Sequence, residues 1–433
     1  MENRPTLGIV GTGISGLGAA YYLRDRFQIT LFEKEDRAGG HTHTHHIETP
    51  DAAFPVDTGF IVFNHTTYPR LTRLFDELGV ESADSDMSFS LYNRNNNLQF
   101  CGKSLRHLFA QKRRLFSPRY LHFLWQAHRF NTRAPRHLEA GVLDDGISFE
   151  RYLEQEGYSD YFKFNFIIPM GSAVWSTPIE KMLQFPARTF IRFFVNHGFL
   201  GLDTQLQWRY VRGGSHTYTR KILEQLPDAL RLPEAVQSVE RTVEQGRSGV
   251  RVVTTKGRYR FDYVLIAAHA DQALAMLSDA RPFEREILSA FPYESNRAIL
   301  HTDAAVMPPL KQVWSAWNYK RDAHERTTTI YHMNALQKLP THRDYFVSIN
   351  EIDPIDPDKI IRIINYEHPL FDTRSIQMQQ RLPELNNGGP LFFAGAYFRY
   401  GFHEDGLLAA LQAVDAIRNA HARIEHSNAP VSV

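Results

Sequence analysis

A glycine-rich turn near the N-terminus constrains the fold of this chain more than any other feature. Residues 7–10 (LGIV) form an apolar run typical of a buried strand, and GTGISG follows at residues 11–16, ahead of a stretch with helical spacing. In this arrangement Gly11 permits a tight turn, Gly13 lets the backbone approach a pyrophosphate, and Gly16 lets the helix pack against the strand. The helix N-terminus also offers unpaired N–H groups to phosphates. The sequence therefore predicts a strand, turn and helix that bind a dinucleotide.

An acidic residue after the second predicted strand supports this interpretation. Residues 29–32 (ITLF) form another apolar run that ends at Glu33, about 20 residues after the first glycine. A carboxylate at this place accepts hydrogen bonds from an adenosine ribose and disfavours a 2′-phosphate. A βαβ unit without a ligand is the alternative interpretation. The combination of strand, glycines and acid favours a bound dinucleotide.

The residues after this strand resemble a known superfamily. Residues 33–40 (EKEDRAGG) are similar to the E-x3-R-x-G-G signature of flavin amine oxidases, protoporphyrinogen oxidases and phytoene-type desaturases. The resemblance implies that the arginine and the paired glycines lie along the pyrophosphate and flavin of FAD, so FAD is preferred to NAD. Further matches follow in the family's order at residues 57–59 (DTG), 211–215 (VRGGS), 234–236 (EAV), 391–395 (LFFAG) and 404–409 (EDGLLA).

The resemblance implies a set of cofactor-binding residues spread along the chain. They are Gly11, Gly13, Ile14, Ser15, Gly16, Glu33, Lys34, Arg37, Gly39, Gly40, His41, Asp57, Gly59, Val236, Gly395, Ala396, Glu404, Asp405, Gly406 and Leu407. Ala396 departs from the family pattern, in which an acidic residue follows the last Ala-Gly and binds the ribityl chain. Glu404 or Asp405 is the expected replacement.

The order of the matches also implies the domain organisation. We expect an α/β fold, with a discontinuous Rossmann-type FAD-binding domain and an inserted α+β substrate domain like that of amine oxidases. The FAD-binding domain is expected to comprise residues 1–84, 205–273 and 383–423, and the substrate-binding domain residues 85–204 and 274–382. Residues 424–433 are expected to form a loose tail.

Bulk composition narrows the class of protein. The chain has 433 residues, of which 43% are hydrophobic and 22% charged, so it is long enough for two buried cores. A formal net charge of +1 gives no overall attraction to nucleic acid or membranes. Cys101 is the only cysteine, which excludes an intramolecular disulfide or a CxxC site. Without a recognisable secretory signal or membrane-spanning run, we expect a cytoplasmic protein, peripheral at most on the inner face of a membrane.

Candidate catalytic residues lie in segments that the resemblance places near the flavin. In this superfamily the flavin accepts a hydride, and the protein orients the substrate and excludes water. His403, Glu404 and His216 are candidates for proton handling. Tyr397 is an aromatic candidate for contact with the substrate, and packing is its alternative role. Residues 295–300 (SNRAIL) carry no lysine where many amine oxidases have one, which argues against ordinary amine oxidation.

A run of histidines follows the paired glycines. If the run is a strand, His41, His43 and His45 share one face, with His46 beside them. Such a face could bind a metal, but no carboxylate or cysteine stands at ligand spacing. We therefore expect no metal and assign His41 to the flavin.

A basic and aromatic stretch suggests a partner. Residues 87–138 contain no acidic residue but many arginines, lysines and aromatic side chains. This combination predicts contact with an anionic membrane surface or a phospholipid. The alternative is a solvated basic helix whose aromatic side chains face the core. No nucleic acid partner is expected, because no recognised binding module accompanies the stretch. Residues 161–169 (YFKFNFIIP) are expected either to line a pocket for a long hydrophobic chain or to belong to the core.

These observations lead to a functional hypothesis and its alternatives. By analogy with lipid-associated bacterial members of the superfamily, we expect an FAD-dependent oxidoreductase that takes a hydride from a hydrophobic substrate and desaturates an unsaturated or methylated fatty acyl chain. The alternatives are a flavin-dependent isomerase of fatty acid double bonds, an amine or polyamine oxidase, and a non-catalytic, membrane-attached FAD protein that supports a lipid-modifying partner.

Overall fold

The computed structural model describes residues 4–50, 52–144, 146–201 and 205–428. Within these ranges the strands are β1 (Thr6–Val10), β2 (Gln28–Phe32), β3 (Thr44–Glu48), β4 (Ala53–Asp57), β5 (Ser82–Asp84), β6 (Phe89–Asn93), β7 (Leu98–Cys101), β8 (Arg209–Val211), β9 (Leu230–Arg231), β10 (Val236–Glu244), β11 (Arg247–Thr254), β12 (Arg258–Phe261), β13 (Tyr263–Ile266), β14 (Tyr293–His301), β15 (Trp317–Arg321), β16 (Thr327–His332), β17 (Phe346–Ile349), β18 (Ile360–Pro369) and β19 (Leu391–Phe393).

The α-helices of the same ranges alternate with these strands in the N-terminal part and cluster in the middle of the chain. They are α1 (Ile14–Leu23), α2 (Pro69–Leu78), α3 (Leu105–Leu108), α4 (Pro118–Glu139), α5 (Phe149–Gln155), α6 (Asp160–Phe162), α7 (Ile168–Trp175), α8 (Ile179–Leu183), α9 (Ala187–Asn196), α10 (His216–Leu223), α11 (Ala270–Met276), α12 (Pro282–Leu288), α13 (Met333–Gln337), α14 (Thr373–Gln379) and α15 (His403–Asn428).

A parallel sheet of five strands has the order β19-β13-β1-β2-β9. Its central strands are apolar runs because both faces of the sheet are covered. Helices α1 and α15 cover one face, where Leu17 and Leu407 are fully buried, and the antiparallel sheet β10-β11-β12 packs on the other. All five strands come from residues 1–84, 205–273 and 383–423, the three segments expected to form the FAD-binding domain.

A mixed sheet of seven strands has the order β18-β14-β17-β16-β15-β6-β7. Its strand pairs are antiparallel except for the parallel pair of β15 and β6. At one end, Leu91 and Tyr319 join an aromatic core formed by helices α4 to α9, in which the rings of Phe149 and Phe190 stack at 3.9 Å. Cys101, at the end of β7, is fully buried and accepts a hydrogen bond from the Ser315 hydroxyl at 3.0 Å.

The structure differs from the sequence-based expectation at two places. Helix α15 continues to Asn428, so residues 424–428 are helical, and only residues 429–433 of the expected loose tail lie outside the described residues. An ion pair of 3.1 Å between His421 and Glu425, one helical turn apart, supports this extension. The histidine run is not one strand, because β3 begins only at Thr44, after the turn that the paired glycines form.

In the part of the chain that the structure describes, no helix combines the length and the apolar character needed to cross a lipid bilayer.

Candidate active site

Two glycines of the turn between β1 and α1 and one in the first turn of α1 shape this region, each in a different way. Gly11 has a φ of +96°, and a Cβ there would lie 2.6 Å from the Ala267 carbonyl oxygen. A Cβ on Gly16 would lie 2.0 Å from the Gly11 carbonyl oxygen, so α1 packs directly on the turn. A Cβ on Gly13, in contrast, would meet no protein atom within 4 Å. Gly13 therefore borders open volume, as a phosphate site close to the backbone requires.

Glu33 lies beside this turn at the end of β2 and is buried. Its Oε2 accepts hydrogen bonds from the Thr12 N–H at 3.1 Å and the Thr12 hydroxyl at 2.6 Å, and its Oε1 accepts one from the Glu35 N–H at 3.1 Å. A carboxylate has about four acceptor positions, so capacity remains for the hydroxyls of a ribose. The protein contacts fix the orientation of this carboxylate at the wall of a cavity.

The segment after β2 forms a loop that packs on the glycine turn. Arg37 donates to the carbonyls of Gly40 and Thr42, at 2.9 and 3.1 Å. Gly40 has a φ of +58°, and a Cβ there would lie 3.1 Å from the Gly13 Cα atom. Because Lys34 and Arg37 border the cavity beside this turn, they supply positive charge where the pyrophosphate of a dinucleotide is expected.

A cavity of about 2210 Å³ begins at the turn, passes β18 and extends to α4 and α7. A pocket for one drug-sized ligand usually encloses about 300–1000 Å³, so this cavity has room for a dinucleotide and a second ligand. The predicted site residues on its wall are Gly11, Gly13, Ile14, Ser15, Glu33, Lys34, Arg37, Gly40, His41, Gly59, Val236, Gly395, Ala396, Tyr397 and His403. The predicted site residues behind the wall are Gly16, Gly39, Asp57, His216, Glu404, Asp405, Gly406 and Leu407.

Asp57 anchors the structure behind the wall instead of facing the cavity. Its buried carboxylate accepts hydrogen bonds from the Ser215 N–H at 3.0 Å, the Thr44 hydroxyl at 2.5 Å and the Gln337 amide at 2.7 Å. Burial raises the pKa of Asp57 to about 6, and these hydrogen bonds oppose the rise. The side chain joins β4 to the start of α10 and to α13, and it brings Gly59 to the cavity wall.

Glu404, an expected candidate for proton handling, caps a neighbouring helix and does not line the cavity. One carboxylate oxygen accepts hydrogen bonds from the Arg70 N–H and guanidinium, each at 3.1 Å, and the other accepts one from the Leu71 N–H at 3.0 Å. These donors belong to the first turn of α2, where backbone N–H groups have no partner within the helix. Both oxygens are therefore directed away from the cavity.

Asp405 and Gly406 shape the loop and the helix contact beside the site. Asp405 accepts hydrogen bonds from the N–H groups of Tyr400 and Phe402, at 3.2 and 3.0 Å, and burial raises its pKa to about 7. The Ser15 hydroxyl donates to the Gly406 carbonyl at 2.9 Å, and a Cβ on Gly406 would lie 2.9 Å from the same hydroxyl. Gly406 thus lets α15 approach the start of α1 closely. Asp405 itself does not line the cavity.

Neutral imidazoles form one part of the wall. The His41 ring stacks on Tyr366 at 5.1 Å and lies 5.2 Å from the His368 ring. Its Nε2 is buried and has no hydrogen-bond partner among the described residues. Burial lowers the pKa of His41 to about 4 and that of His368 to about 3. Among the described residues no three His, Cys, Asp or Glu side chains are placed to hold a metal ion.

His403 and Tyr397 add two further polar groups to the wall. The His403 ring stacks on Phe60 at 3.8 Å, and its Nε2 lies 3.1 Å from the Thr42 hydroxyl. Burial lowers the pKa of His403 to about 3, so the ring is neutral at physiological pH. The Tyr397 hydroxyl is buried with no partner in the described ranges, and burial raises its pKa well above the ordinary value. The Tyr397 hydroxyl is therefore available to a ligand in the cavity.

Aromatic and aliphatic side chains form a further part of the cavity wall, which we call the apolar section. Its rings pack closely, with Phe193 lying 4.6 Å from Trp175 and 5.0 Å from Phe402. Phe166 belongs to the predicted pocket stretch at residues 161–169, but no sequence pattern predicted most of the other side chains of this section. The apolar section consists of Phe123, Leu124, Phe166, Met170, Trp175, Phe193, Phe199, Trp208, Trp317, Tyr331, Tyr400 and Phe402.

Buried negative charge is scarce around the apolar section. No carboxylate belongs to the apolar section, and Asp86, elsewhere on the cavity wall, forms an ion pair of 2.6 Å with Lys103. Strand β14, where the expected lysine is missing, contributes Ser295 to the wall. The described wall therefore offers a cationic amine no unpaired buried carboxylate in this section.

Comparison with known proteins agrees with this geometry. The family described as flavin containing amine oxidoreductase matches residues 14–343. Cyclohexylamine oxidase from Brevibacterium oxydans IH-35A has a similar structure, with a TM-score of 0.67, 17% sequence identity, and coverage of 97% of this chain and 100% of that one.

Two further solved structures share the fold. A CLA-producing fatty acid isomerase from P. acnes matches with a TM-score of 0.66, 14% identity and coverage of 97% and 99%. Wild-type putrescine oxidase bound to putrescine matches with a TM-score of 0.65, 15% identity and coverage of 98% and 99%. The glycine turn, the ordered loop after β2 and the family match lead to one conclusion: the chain belongs to the flavin-containing amine oxidoreductase family and is an FAD-dependent oxidoreductase.

Proposed function

We propose that this oxidoreductase removes hydrogen from a C–H bond of a long hydrophobic chain, and that the substrate is an unsaturated or methylated fatty acyl group. The observation that carries the proposal is the apolar section, which is continuous with the part of the cavity that borders the glycine turn. A chain of methylene groups gains about 0.8 kcal/mol for each CH₂ removed from water. A long aromatic wall therefore favours an acyl chain over a small polar substrate.

The residues on the wall beside the glycine turn fit the cofactor that the family implies. Gly13 leaves open volume for a phosphate, Glu33 has free acceptor positions for a ribose, and Arg37 supplies positive charge. When bound, FAD accepts the hydride that leaves the substrate. We propose the same role in cofactor binding for Lys34, Gly40, His41 and Gly59.

The proposed reaction also releases a proton, since desaturation removes two hydrogens and only one leaves as a hydride. His403 is the proposed acceptor, because its imidazole lies on the cavity wall and Thr42 holds its Nε2 in place. The unpartnered Tyr397 hydroxyl is proposed to orient the substrate. The rings of the apolar section exclude water from the reacting carbon atoms.

Isomerisation of a double bond is the second candidate. A known fatty acid isomerase shares the fold, and the same wall can hold the same acyl chain. An isomerase returns the hydrogen that it removes, so its product has the mass of its substrate. Amine oxidation is disfavoured by the ion-paired state of Asp86 and by the absence of a lysine on β14.

A single-turnover experiment tests the proposal. The FAD-loaded protein is mixed without oxygen with detergent-dispersed unsaturated fatty acids or phospholipids, while the flavin absorbance is followed near ~450 nm. We expect the band to bleach and the product to weigh two hydrogens less than the substrate. Unchanged product mass with altered double-bond position supports the isomerase. If no lipid is changed and a hydrophobic amine bleaches the band instead, the proposal is wrong. If no substrate reduces the flavin or is changed, the alternative of a non-catalytic FAD protein is favoured.

A matched pair of variants tests the acyl-chain site. Ala127 lies on the cavity side of α4, and Ala140 is exposed at the end of the same helix. We expect Ala127→Trp to raise the lipid concentration needed for half-maximal bleaching at least tenfold without changing the flavin spectrum. Ala140→Trp should leave this concentration unchanged. Equal behaviour of the two variants contradicts a substrate site beside α4.

Replacing His403 tests its proposed role. His403→Gln retains a hydrogen-bonding group beside Thr42 but removes the imidazole. We expect slower bleaching at saturating lipid with unchanged FAD content and an altered pH profile of the bleaching rate. Unchanged rates across the pH range contradict proton acceptance by His403.

A further inference from the structure

An exposed apolar surface lies between β7 and the middle of α4. Phe116 is 87% exposed, Leu105 is 73% exposed, Trp125 is 54% exposed, and Leu115 and Leu121 are each 46% exposed. We call these five side chains the apolar patch. A single exposed apolar residue is ordinary, but several on adjoining elements mark an interaction surface.

Three short elements bring the patch together. Leu105 begins α3. Leu115 and Phe116 end the 3₁₀ turn Lys112–Phe116, which leads into α4. Leu121 and Trp125 lie four residues apart on α4 and therefore share a face. The Tyr120 hydroxyl donates to the Leu108 carbonyl at 2.7 Å, so α3 is held against the first turn of α4. Other aromatic residues of the stretch, such as Phe123 and Phe130, are buried in the core. The sequence pattern therefore serves both interpretations, core and exposed surface.

Positive charge is interleaved with the patch. Arg106, Lys112, Arg113 and Arg119 are exposed, and the stretch from residue 87 to residue 138 contains no acidic residue. Within the described ranges, none of these four side chains has an ion-pair partner, whereas Arg129 and Arg133 pair with Glu156 at 3.5 and 3.3 Å. Arg and Lys side chains are attracted to the negative surface of an anionic bilayer. A neutral or basic partner surface would not attract these four positive charges.

The cavity opens beside the patch. Leu124 and His128 line the cavity and follow Leu121 and Trp125 by three residues each, so the lining stripe and the exposed stripe of α4 are neighbours. Leu105 belongs to the patch and to the cavity wall at the same time. A ligand that leaves a surface docked on the apolar patch therefore reaches the apolar section directly.

We infer that the apolar patch docks on a lipid bilayer that carries anionic phospholipids, with the cavity mouth turned toward the acyl chains. The apolar side chains enter the hydrocarbon boundary, and the four cations contact the headgroups. The docking itself follows from exposure and charge. The entry of an acyl chain from the bilayer rests additionally on the proposed function.

Vesicle sedimentation with the FAD-loaded full chain tests the docking. We expect binding to vesicles of phosphatidylglycerol and phosphatidylcholine, weak binding to pure phosphatidylcholine, and loss of binding as salt is raised. The double variant Leu115→Ser with Phe116→Ser should lower partitioning at least tenfold. Val243→Ser is the matched control, since Val243 is 76% exposed on the distant hairpin of β10 and β11 and should not matter.

The charge contribution has its own pair of variants. Lys112→Gln with Arg113→Gln should lower binding to anionic vesicles at least fivefold and reduce its salt dependence. Lys256→Gln with Arg258→Gln removes the same charge from the exposed β11–β12 hairpin and should have no effect. Equal effects of the two pairs, or no binding of the native chain to anionic vesicles, overturn the docking. The native chain could instead form a dimer in the absence of lipid, and the Leu115→Ser, Phe116→Ser variant could be a monomer. That result would assign the patch to a second copy of the chain and would also overturn the docking.

Flavin bleaching separates docking from function. The Leu115→Ser, Phe116→Ser variant should bleach more slowly than the native chain with substrate in vesicles, but equally fast with detergent-dispersed substrate. Vesicle binding without bleaching by any lipid supports docking and refutes the proposed function. Bleaching by dispersed lipid without vesicle binding supports the function and refutes docking.

Discussion

Gly13, at the start of α1, and Gly16, within its first turn, lie three residues apart, yet a side chain at each would meet different surroundings. Over Gly13 there is open cavity, and over Gly16 there is the carbonyl oxygen of Gly11. Gly13 has an extended backbone with a φ of −67°, which alanine adopts without strain. The two positions therefore separate the requirement of the cofactor from the requirement of the fold.

We predict that Gly13→Ala weakens FAD binding at least tenfold, or about 1.4 kcal/mol, while the melting temperature of the apoprotein stays unchanged. The added methyl group occupies volume that the cofactor needs and that the protein does not. Gly16→Ala should lower the melting temperature itself, because α1 must move from the turn. FAD titration and thermal unfolding of the apoproteins measure both effects. Unchanged FAD affinity in Gly13→Ala contradicts a phosphate site at this glycine.

Glu404 is predicted to matter for stability and not for chemistry. Glu404→Ala leaves buried N–H groups of α2 without a partner, so the free energy of unfolding should fall by about 1–3 kcal/mol. Glu77→Ala on the same helix removes an ion pair of 2.8 Å with Arg73 near the surface, where the expected loss is below about 1 kcal/mol. Urea unfolding compares the two variants. Native stability with loss of flavin reduction in Glu404→Ala returns the residue to the catalytic candidates.

At the scale of elements, contiguous motifs predicted the structure well and distant contacts did not. The glycine turn and the parallel sheet follow from local patterns of glycines and apolar runs. The pairing of β6 with β15 joins residues far apart in the chain, and no local pattern indicates it. For the same reason Trp175 of α7, Phe193 of α9 and Trp317 of β15 were not predicted to meet in one cavity. Nor does the sequence reveal that the start of α2 lies opposite Glu404.

Asp57 connects three elements, and we predict that Asp57→Asn loosens all of them. The amide has one acceptor oxygen in place of two and turns its N–H groups toward donors. We expect a loss of about 2 kcal/mol in the free energy of unfolding. Asp84→Asn is the control, since Asp84 is half-exposed in its ion pair with Arg209 and should cost less than about 1 kcal/mol. Chemical denaturation measures the free energy of unfolding of both variants. Equal losses of this free energy in the two variants contradict the anchoring role of Asp57.

At the scale of the whole molecule, buried neutral histidines predict sensitivity to acid. Burial lowers the pKa values of eight histidines in the described ranges to about 3 or 4, namely His41, His43, His45, His197, His269, His301, His368 and His403. Between an unfolded value of about 6.5 and these folded values, the unfolded chain binds protons that the folded chain does not. Stability from these groups is complete above about pH 6.5 and is lost as the pH falls toward 4.

Two carboxyls act in the opposite direction. The pKa values of Asp57 and Asp405 are raised by burial to about 6 and about 7, so in the same window the folded chain binds their protons and gains stability as the pH falls. Because the histidines outnumber them, we predict a net decrease in the free energy of unfolding, with a slope near pH 5 of at least about 1.4 kcal/mol per pH unit, the equivalent of one proton. Urea unfolding at pH 7.5, 6.5, 5.5 and 4.5 tests this. Constant or rising stability toward pH 4.5 contradicts it.

The burial of Cys101 has a practical consequence for spectroscopy. The only thiol of the chain is fully buried at the end of β7 and hydrogen-bonded to Ser315, so the native protein offers maleimide and nitroxide reagents no accessible thiol. A single cysteine introduced at Phe116 or at Val243 will then carry the only label. The label at Phe116 will report the immersion depth and rotational freedom of the apolar patch. The label at Val243 will report the same two quantities for the β10–β11 hairpin.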